Sequence, residues 1–230
     1  MIQLFEQYDQ NLRELRELEE NDLPRSLRLF NIRIRLAIDI QIDFKGQISL
    51  TKTKEVRDTY VSLIQLMELW NAYEALSHYV SEVTEHVAKG VTKSKIYPQK
   101  FLKEVDSLPV LQATSQKIYH TFKNSRTFKE DFENYIGRIV NDEKLSKSLK
   151  EDASSVHKYV KQEKQSISGI EMLSLIYVER NMYYHNGETA KMGMRYSNRR
   201  KLIGWYKDAL LDNVLKVANA VVSEQIEANR

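Results

Sequence analysis

The residues best suited to chemistry lie in the stretch ERNMYYHNGE, at positions 179 to 188, which ends an apolar helical run. Arg180 continues the apolar stripe of that run, so its guanidinium must find an acceptor or emerge into a cleft. Asn181 and His185 stand four residues apart and share another helix face, about 100° from Arg180. Gly187 predicts a helix C-cap, and unpaired carbonyls in that last turn favour a protonated His185. The stretch therefore combines a titratable histidine with a permanent cation and an amide.

The pattern Arg180-Asn181-x-x-x-His185 resembles the R-x(4-6)-H motif of the HEPN superfamily, including the polar residue after the arginine. As in HEPN bundles, the motif ends an apolar helix and one more long helix follows; the resemblance extends over about 54 to 228. It implies a metal-independent endoribonuclease without a cofactor, acting at the cleft of a homodimer as a bacterial toxin or antiviral defence effector. The implied products carry 2′,3′-cyclic phosphate and 5′-hydroxyl ends.

Metal-free cleavage of RNA needs a base for the 2′-hydroxyl, an acid for the departing 5′-oxygen and cations for the phosphorane. Histidine titrates in the required range, and arginine grips phosphate oxygens in bidentate fashion. We therefore expect Arg180 to hold the phosphate, His185 to act as acid or base, and Asn181 to orient the substrate or the imidazole. Because one motif carries one histidine, two copies of His185 in a dimer cleft would supply both proton transfers.

Other interpretations of the motif stay open. Arg180 could pair with Glu74 or Glu179 while His185 merely terminates the helix, and a HEPN-like module could bind RNA, a nucleotide or a partner protein without catalysis. Some HEPN toxins are silenced by an antitoxin that modifies a tyrosine two residues after the histidine. Gly187 occupies that position here, so an antitoxin or regulatory partner would have to act differently.

A basic cluster follows the motif, and no acidic residue lies between Glu188 and Asp208. Ser197 or Asn198 is a plausible N-cap, which would place cations in the first helical turn, where the helix dipole disfavours them. A bound phosphate would offset this penalty. Including Tyr184 from the motif, the predicted RNA-binding residues are Tyr184, Arg195, Arg199, Arg200 and Lys201.

The rest of the chain predicts a mainly α fold, a helical bundle of HEPN type. Seven glycines and three prolines in 230 residues are too few for a turn-rich β protein. Apolar residues recur at helical spacing along most of the chain. The helices are predicted at 2 to 20, 54 to 89, 98 to 123, 126 to 141, 142 to 186 with a break near Ser168-Gly169, and 197 to 228.

The stretch 30 to 53 is ambiguous. Apolar residues alternate with polar ones from Phe30 to Phe44, which is typical of a strand, and Lys45-Gly46 suits a hairpin turn. Yet Leu27, Phe30 and Ile34 also form a helical face. The sequence divides into residues 1–53, a helix plus an extension that is helix or hairpin, and residues 54–230, the HEPN-like bundle, together expected to form one compact unit.

Composition also limits the compartment and the chemistry. The chain has no cysteine, which excludes disulfides and thiolate chemistry, and no apolar run approaches the roughly 20 residues that span a bilayer. The N-terminus carries acidic residues where a signal peptide would be basic. We therefore expect a cytoplasmic protein without a metal, a cofactor or a membrane partner. A net charge of +3 permits RNA as a partner without requiring it.

Overall fold

The structure is a computed structural model, and it describes residues 2–19, 22–46, 51–83, 108–160, 167–184 and 192–230. Within these ranges the helices are α1 (Ile2–Leu18), α2 (Arg25–Asp39), α3 (Lys54–Val83), α4 (Leu108–Asn124), α5 (Arg126–Asn141), α6 (Lys147–Val160), α7 (Gly169–Tyr184) and α8 (Tyr196–Asn229). The described residues contain no strand, so the mainly α fold class is confirmed. No described helix is both long and apolar enough to cross a membrane.

A local signal accounts for the start of helix α5. Helix α5 begins after Ser125, whose hydroxyl accepts the Phe128 N–H at 3.3 Å. The stretch 142 to 186, predicted with a break near Ser168-Gly169, forms two helices, α6 and α7, and α7 begins at Gly169. Residues 161–166 lie outside the described ranges. Residues 84–107 also lie outside those ranges. They include the end of the helix predicted over 54 to 89 and the first part of the helix predicted over 98 to 123.

The ambiguous stretch is helical as far as Asp39. Helix α2 starts directly after Pro24 and buries Leu27, Phe30 and Ile34, so the hairpin alternative is wrong for these residues. Residues 40–45 form neither helix nor strand, and the predicted turn is present at Gly46, whose φ of +66° suits glycine. The second arm of the predicted hairpin, 47 to 53, is described only at residues 51–53, which are not strand.

Helix α3 lies at the centre of the packing. Helix α2 runs antiparallel to it: Arg33 donates to Glu68 at 2.9 Å, and the Gln65 side chain donates to the Ile40 carbonyl at 3.5 Å. The long helix α8 also packs on α3, through contacts that include a 3.0 Å hydrogen bond from Lys207 to Gln65.

The N-terminal region and the bundle share one hydrophobic core. Helix α1 lies along the C-terminal half of α8, where Asn219 donates to the Leu4 carbonyl at 2.9 Å and Asn11 donates to Asn219 at 3.1 Å. Helix α4 packs on α8 and also on α5 and α7, and α6 packs on α5 and α7. Buried residues of α1 and α2 belong to the same core cluster as those of the bundle, from Tyr8 to Ile226.

Two alanine substitutions test the helical assignment of α2. A strand would place Ile32 and Ile34 on the same side, whereas the helix buries Ile34 completely and exposes Ile32. We expect Ile34→Ala to lower the free energy of unfolding by about 2–5 kcal/mol. We expect Ile32→Ala to change it by about 0.5 kcal/mol or less. Urea denaturation followed by circular dichroism, at one low protein concentration, measures both; equal losses would contradict the helix.

Candidate functional site

Helix α7 carries the motif and begins with a capping box. The Ser168 hydroxyl accepts the Glu171 N–H at 3.2 Å, and the Glu171 carboxylate accepts the Ser168 N–H at 2.7 Å. Two ring contacts then hold α7 on α3: Tyr177 with Trp70 at 5.0 Å and Tyr183 with Tyr60 at 6.4 Å between centroids. The helix that presents the motif is therefore held at its start and along its length.

Arg180 lies between the two anchoring tyrosines of α7 and is half-buried, as is Asn181. The Arg180 guanidinium donates a hydrogen bond to the Asn181 side-chain oxygen at 2.9 Å. Side chains that were expected on different helix faces are thus in direct contact, and the amide orients the cation. His185, Gly187 and the side chain of Tyr184 lie outside the described residues, so their predicted roles stay predictions.

The residue before Arg180 forms the most buried polar contact near the motif. Glu179 on α7 and Arg199 on α8 make an ion pair in which neither side chain has any exposed area. The Tyr135 hydroxyl on α5 donates to the second Glu179 oxygen at 2.9 Å, and the Arg199 guanidinium lies 5.0 Å from the centre of the Tyr135 ring. Arg199 also contacts the Met192 sulfur at 3.2 Å. The pair therefore joins three helices and the turn before α8.

The cost of burial explains why this pair has several further contacts. Removing two charges from water costs several kcal/mol per ion, which mutual attraction and further hydrogen bonds must offset. Burial raises the pKa of Tyr135, so its phenol stays protonated and can donate to the carboxylate. Glu179 was one of two acids expected as a possible partner of Arg180, but it pairs with Arg199 instead. The sequence signal for this pair is an acid within one apolar helix and an arginine within another apolar segment.

The prediction that Arg199 binds RNA is therefore wrong, because a guanidinium with no exposed area cannot reach a phosphate. The other predicted cations are exposed, but two of them have acidic neighbours. Arg195 lies 3.5 Å from both Glu130 and Asp131, and Arg200 lies 3.4 Å from Asp58. Lys201 is exposed and forms no ion pair among the described residues. The acid-free window of the sequence is thus partly neutralised by acids from α3 and α5.

The predicted N-cap of the last helix is also wrong. Helix α8 begins at Tyr196, and Arg195 is the N-cap residue without a capping side chain. The Asp131 carboxylate of α5 instead accepts the Arg195 N–H at 3.0 Å and the Asn198 amide at 2.7 Å. A carboxylate from another helix therefore occupies the position where a bound phosphate was expected.

The motif end of α7 and the start of α8 meet at one end of α3. Tyr183 contacts Tyr60, and Arg200 approaches Asp58, two residues earlier on α3. Arg180 precedes Tyr183 by three positions on α7. The described part of the candidate site is Arg180 with its orienting amide, Asn181.

No family model matches this chain, and neither a curated protein nor a solved structure shows detectable similarity to it.

Removing one charge tests how far the fold depends on the buried pair. We expect Glu179→Gln to lower the free energy of unfolding by about 3–5 kcal/mol, because Arg199 would stay buried without its counter-charge. Asp58→Asn removes an acid from an exposed pair and should cost about 1 kcal/mol or less.

A double substitution separates the missing charge from lost packing. Glu179→Gln combined with Arg199→Met should be more stable than Glu179→Gln alone by about 2 kcal/mol, since no unpaired charge is left buried. Chemical denaturation of the four proteins gives these differences. A double variant less stable than Glu179→Gln would show that the ion pair itself stabilises the fold.

Proposed function

We propose that the chain is a HEPN-like endoribonuclease that cleaves RNA without a metal, acting in the cytoplasm as a toxin or antiviral effector. The observation that carries the proposal is the partly buried Arg180, whose guanidinium is held by Asn181 near the end of α7. Arg199, by contrast, is completely buried. In the sequence, Arg180 lies five residues before His185.

Fixing the cation in advance is useful for phosphoryl chemistry. A donor that is already oriented toward the developing phosphorane stabilises it without reorganisation during the reaction, and removing one such donor typically costs about 10²–10³-fold in rate. The Glu179–Arg199 pair fixes the position of α7. The backbone of Arg180, the next residue, is therefore held in a defined position. Asn181 then restricts the rotamers of its side chain.

His185 supplies proton transfer in this mechanism. One imidazole removes the proton of the 2′-hydroxyl, the 2′-oxygen attacks the phosphorus, and an imidazolium protonates the departing 5′-oxygen. Because each chain carries one motif, a homodimer that faces two motifs across a cleft provides both groups. The products are a 2′,3′-cyclic phosphate and a 5′-hydroxyl end.

A second candidate, a non-catalytic module that binds RNA, a nucleotide or a protein, has one observation in its favour. Asp131 and Asp58 lie beside two of the cations predicted to bind RNA, and Arg199 is buried. This reduces the positive surface available for a long polyanion. It leaves the Arg180 site itself unchanged, so the ribonuclease proposal remains the better supported.

A cleavage assay in EDTA tests the proposal. End-labelled structured and unstructured RNAs should be cut by the wild-type protein and leave cyclic phosphate ends. We expect His185→Ala to lose about 10²-fold or more of the rate. We expect Arg180→Ala to lose about 10²–10³-fold, because the phosphorane loses a fixed donor.

Matched controls distinguish catalysis from contamination or unfolding. His120 and Arg126 are exposed on α4 and α5 and are not part of the motif, so His120→Ala and Arg126→Ala should cut at the wild-type rate. Cutting that survives in His185→Ala would contradict the proposal, as would cutting that EDTA abolishes. No cutting by folded wild-type protein, with RNA or nucleotide binding measured on the same sample, would favour the binding module.

A further inference from the structure

Helix α2 has a second apolar face that points away from the core. Leu29, Ile32 and Leu36 are 40%, 54% and 42% exposed and follow i, i+3, i+7 spacing. At 100° per residue they lie within about 60° of one another, opposite the buried Phe30 and Ile34. Single exposed apolar residues are common, but an aligned stripe on one helix indicates an interaction surface.

Charged residues stand at the two ends of this stripe. Arg25 and Arg28 precede it and Asp39 follows it; all three are exposed, and none forms an ion pair among the described residues. The other two arginines of α2 point to neighbouring helices, with Arg33 on Glu68 and Arg35 on Asp9. The stripe therefore carries positive charge at one end and negative charge at the other.

We propose that this face pairs with the same face of a second copy of the chain, with the two α2 helices antiparallel about a two-fold axis at Ile32. Arg25 and Asp39 each lie seven residues from Ile32, on opposite sides, while Leu29 and Leu36 lie three and four residues from it. The rotation therefore brings each Arg25 to Asp39 of the partner subunit and each Leu29 to Leu36 of the partner subunit. Ile32 meets its own copy at the centre.

Self-complementarity is the reason for choosing a second copy as the occupant. A two-fold interface uses the same patch twice, so every attractive contact must survive a half-turn of the patch onto itself. The apolar stripe and its end charges meet this condition. Counted at 100° per residue, the side chains from Arg25 to Asp39 that form the patch lie within about 80° around the helix axis. A helix binding an unrelated partner has no need for such symmetry about one residue.

This interface is separate from the cleft of the proposed ribonuclease and does not rest on it. Helix α2 contacts α3 through Glu68 and Gln65, whereas α7 contacts α3 through Tyr60 and Trp70. On a helical projection these two pairs occupy different faces of α3. A protein without ribonuclease activity would still be expected to pair through α2.

Cross-linking is a direct test, because the chain contains no cysteine. Ile32→Cys places one thiol on the two-fold axis, so mild oxidation should convert most of the protein to a disulfide-linked dimer. Ile38→Cys is the matched control: Ile38 is also on α2 and 38% exposed, but lies about 120° from Ile32 around the helix. Equal cross-linking of the two variants, or none in either, would overturn the proposal.

Charge reversal tests the antiparallel direction. Sedimentation of the wild-type chain between about 1 and 100 μM should reveal a concentration-dependent association that Ile32→Glu loses, whether or not the motif cleft also pairs. Arg25→Glu and Asp39→Arg should each weaken the dimer by about tenfold, because like charges would then meet twice per dimer. The combined variant should recover the wild-type dissociation constant. A monomer at every concentration, or a dimer unaffected by Ile32→Glu, would show that α2 is not a self-pairing face.

Discussion

The buried Glu179–Arg199 ion pair is the interaction on which the candidate site depends. Burying two charges without any exposed area is costly, so α5, α7 and α8 must approach in the register that lets Tyr135 and Arg199 both reach Glu179. Tyr135 completes the arrangement from a third helix. Because Arg180 follows Glu179 directly, the backbone position of the motif arginine is determined by a contact that faces the core, about 100° away around the helix.

The same region illustrates why charge along a sequence differs from charge in space. The segment from Arg195 to Lys201 contains no acid, yet Asp131 caps its helix and Asp58 approaches Arg200. Helix packing brings these carboxylates from positions more than sixty residues away. The charge of a sequence window therefore predicts the potential at a surface only once its neighbours are known, and here acids lie beside Arg195 and Arg200.

Helix α2 shows how one sequence can satisfy two periodicities. Every even position from 30 to 36 is apolar, which produces the strand-like alternation. Phe30 and Ile34 are buried, whereas Ile32 and Leu36 are exposed. In the helix, the same residues divide into an inner and an outer apolar face. The alternation is regular because the helix has an outer apolar face in addition to its buried one. That outer face is the one proposed to pair two chains.

Local patterns determined most of the helices from the sequence alone. Helix α5 was predicted at its observed limits and α8 within one residue of them, because helical periodicity and capping depend on neighbours in the chain. The sequence also indicated Arg180 and Asn181 as a cation and an amide at a helix end. Only the tertiary structure decided that Arg199 is buried, that Asp131 caps α8 and that α2 is a helix. These outcomes depend on desolvation and on partners from distant segments, which no local pattern records.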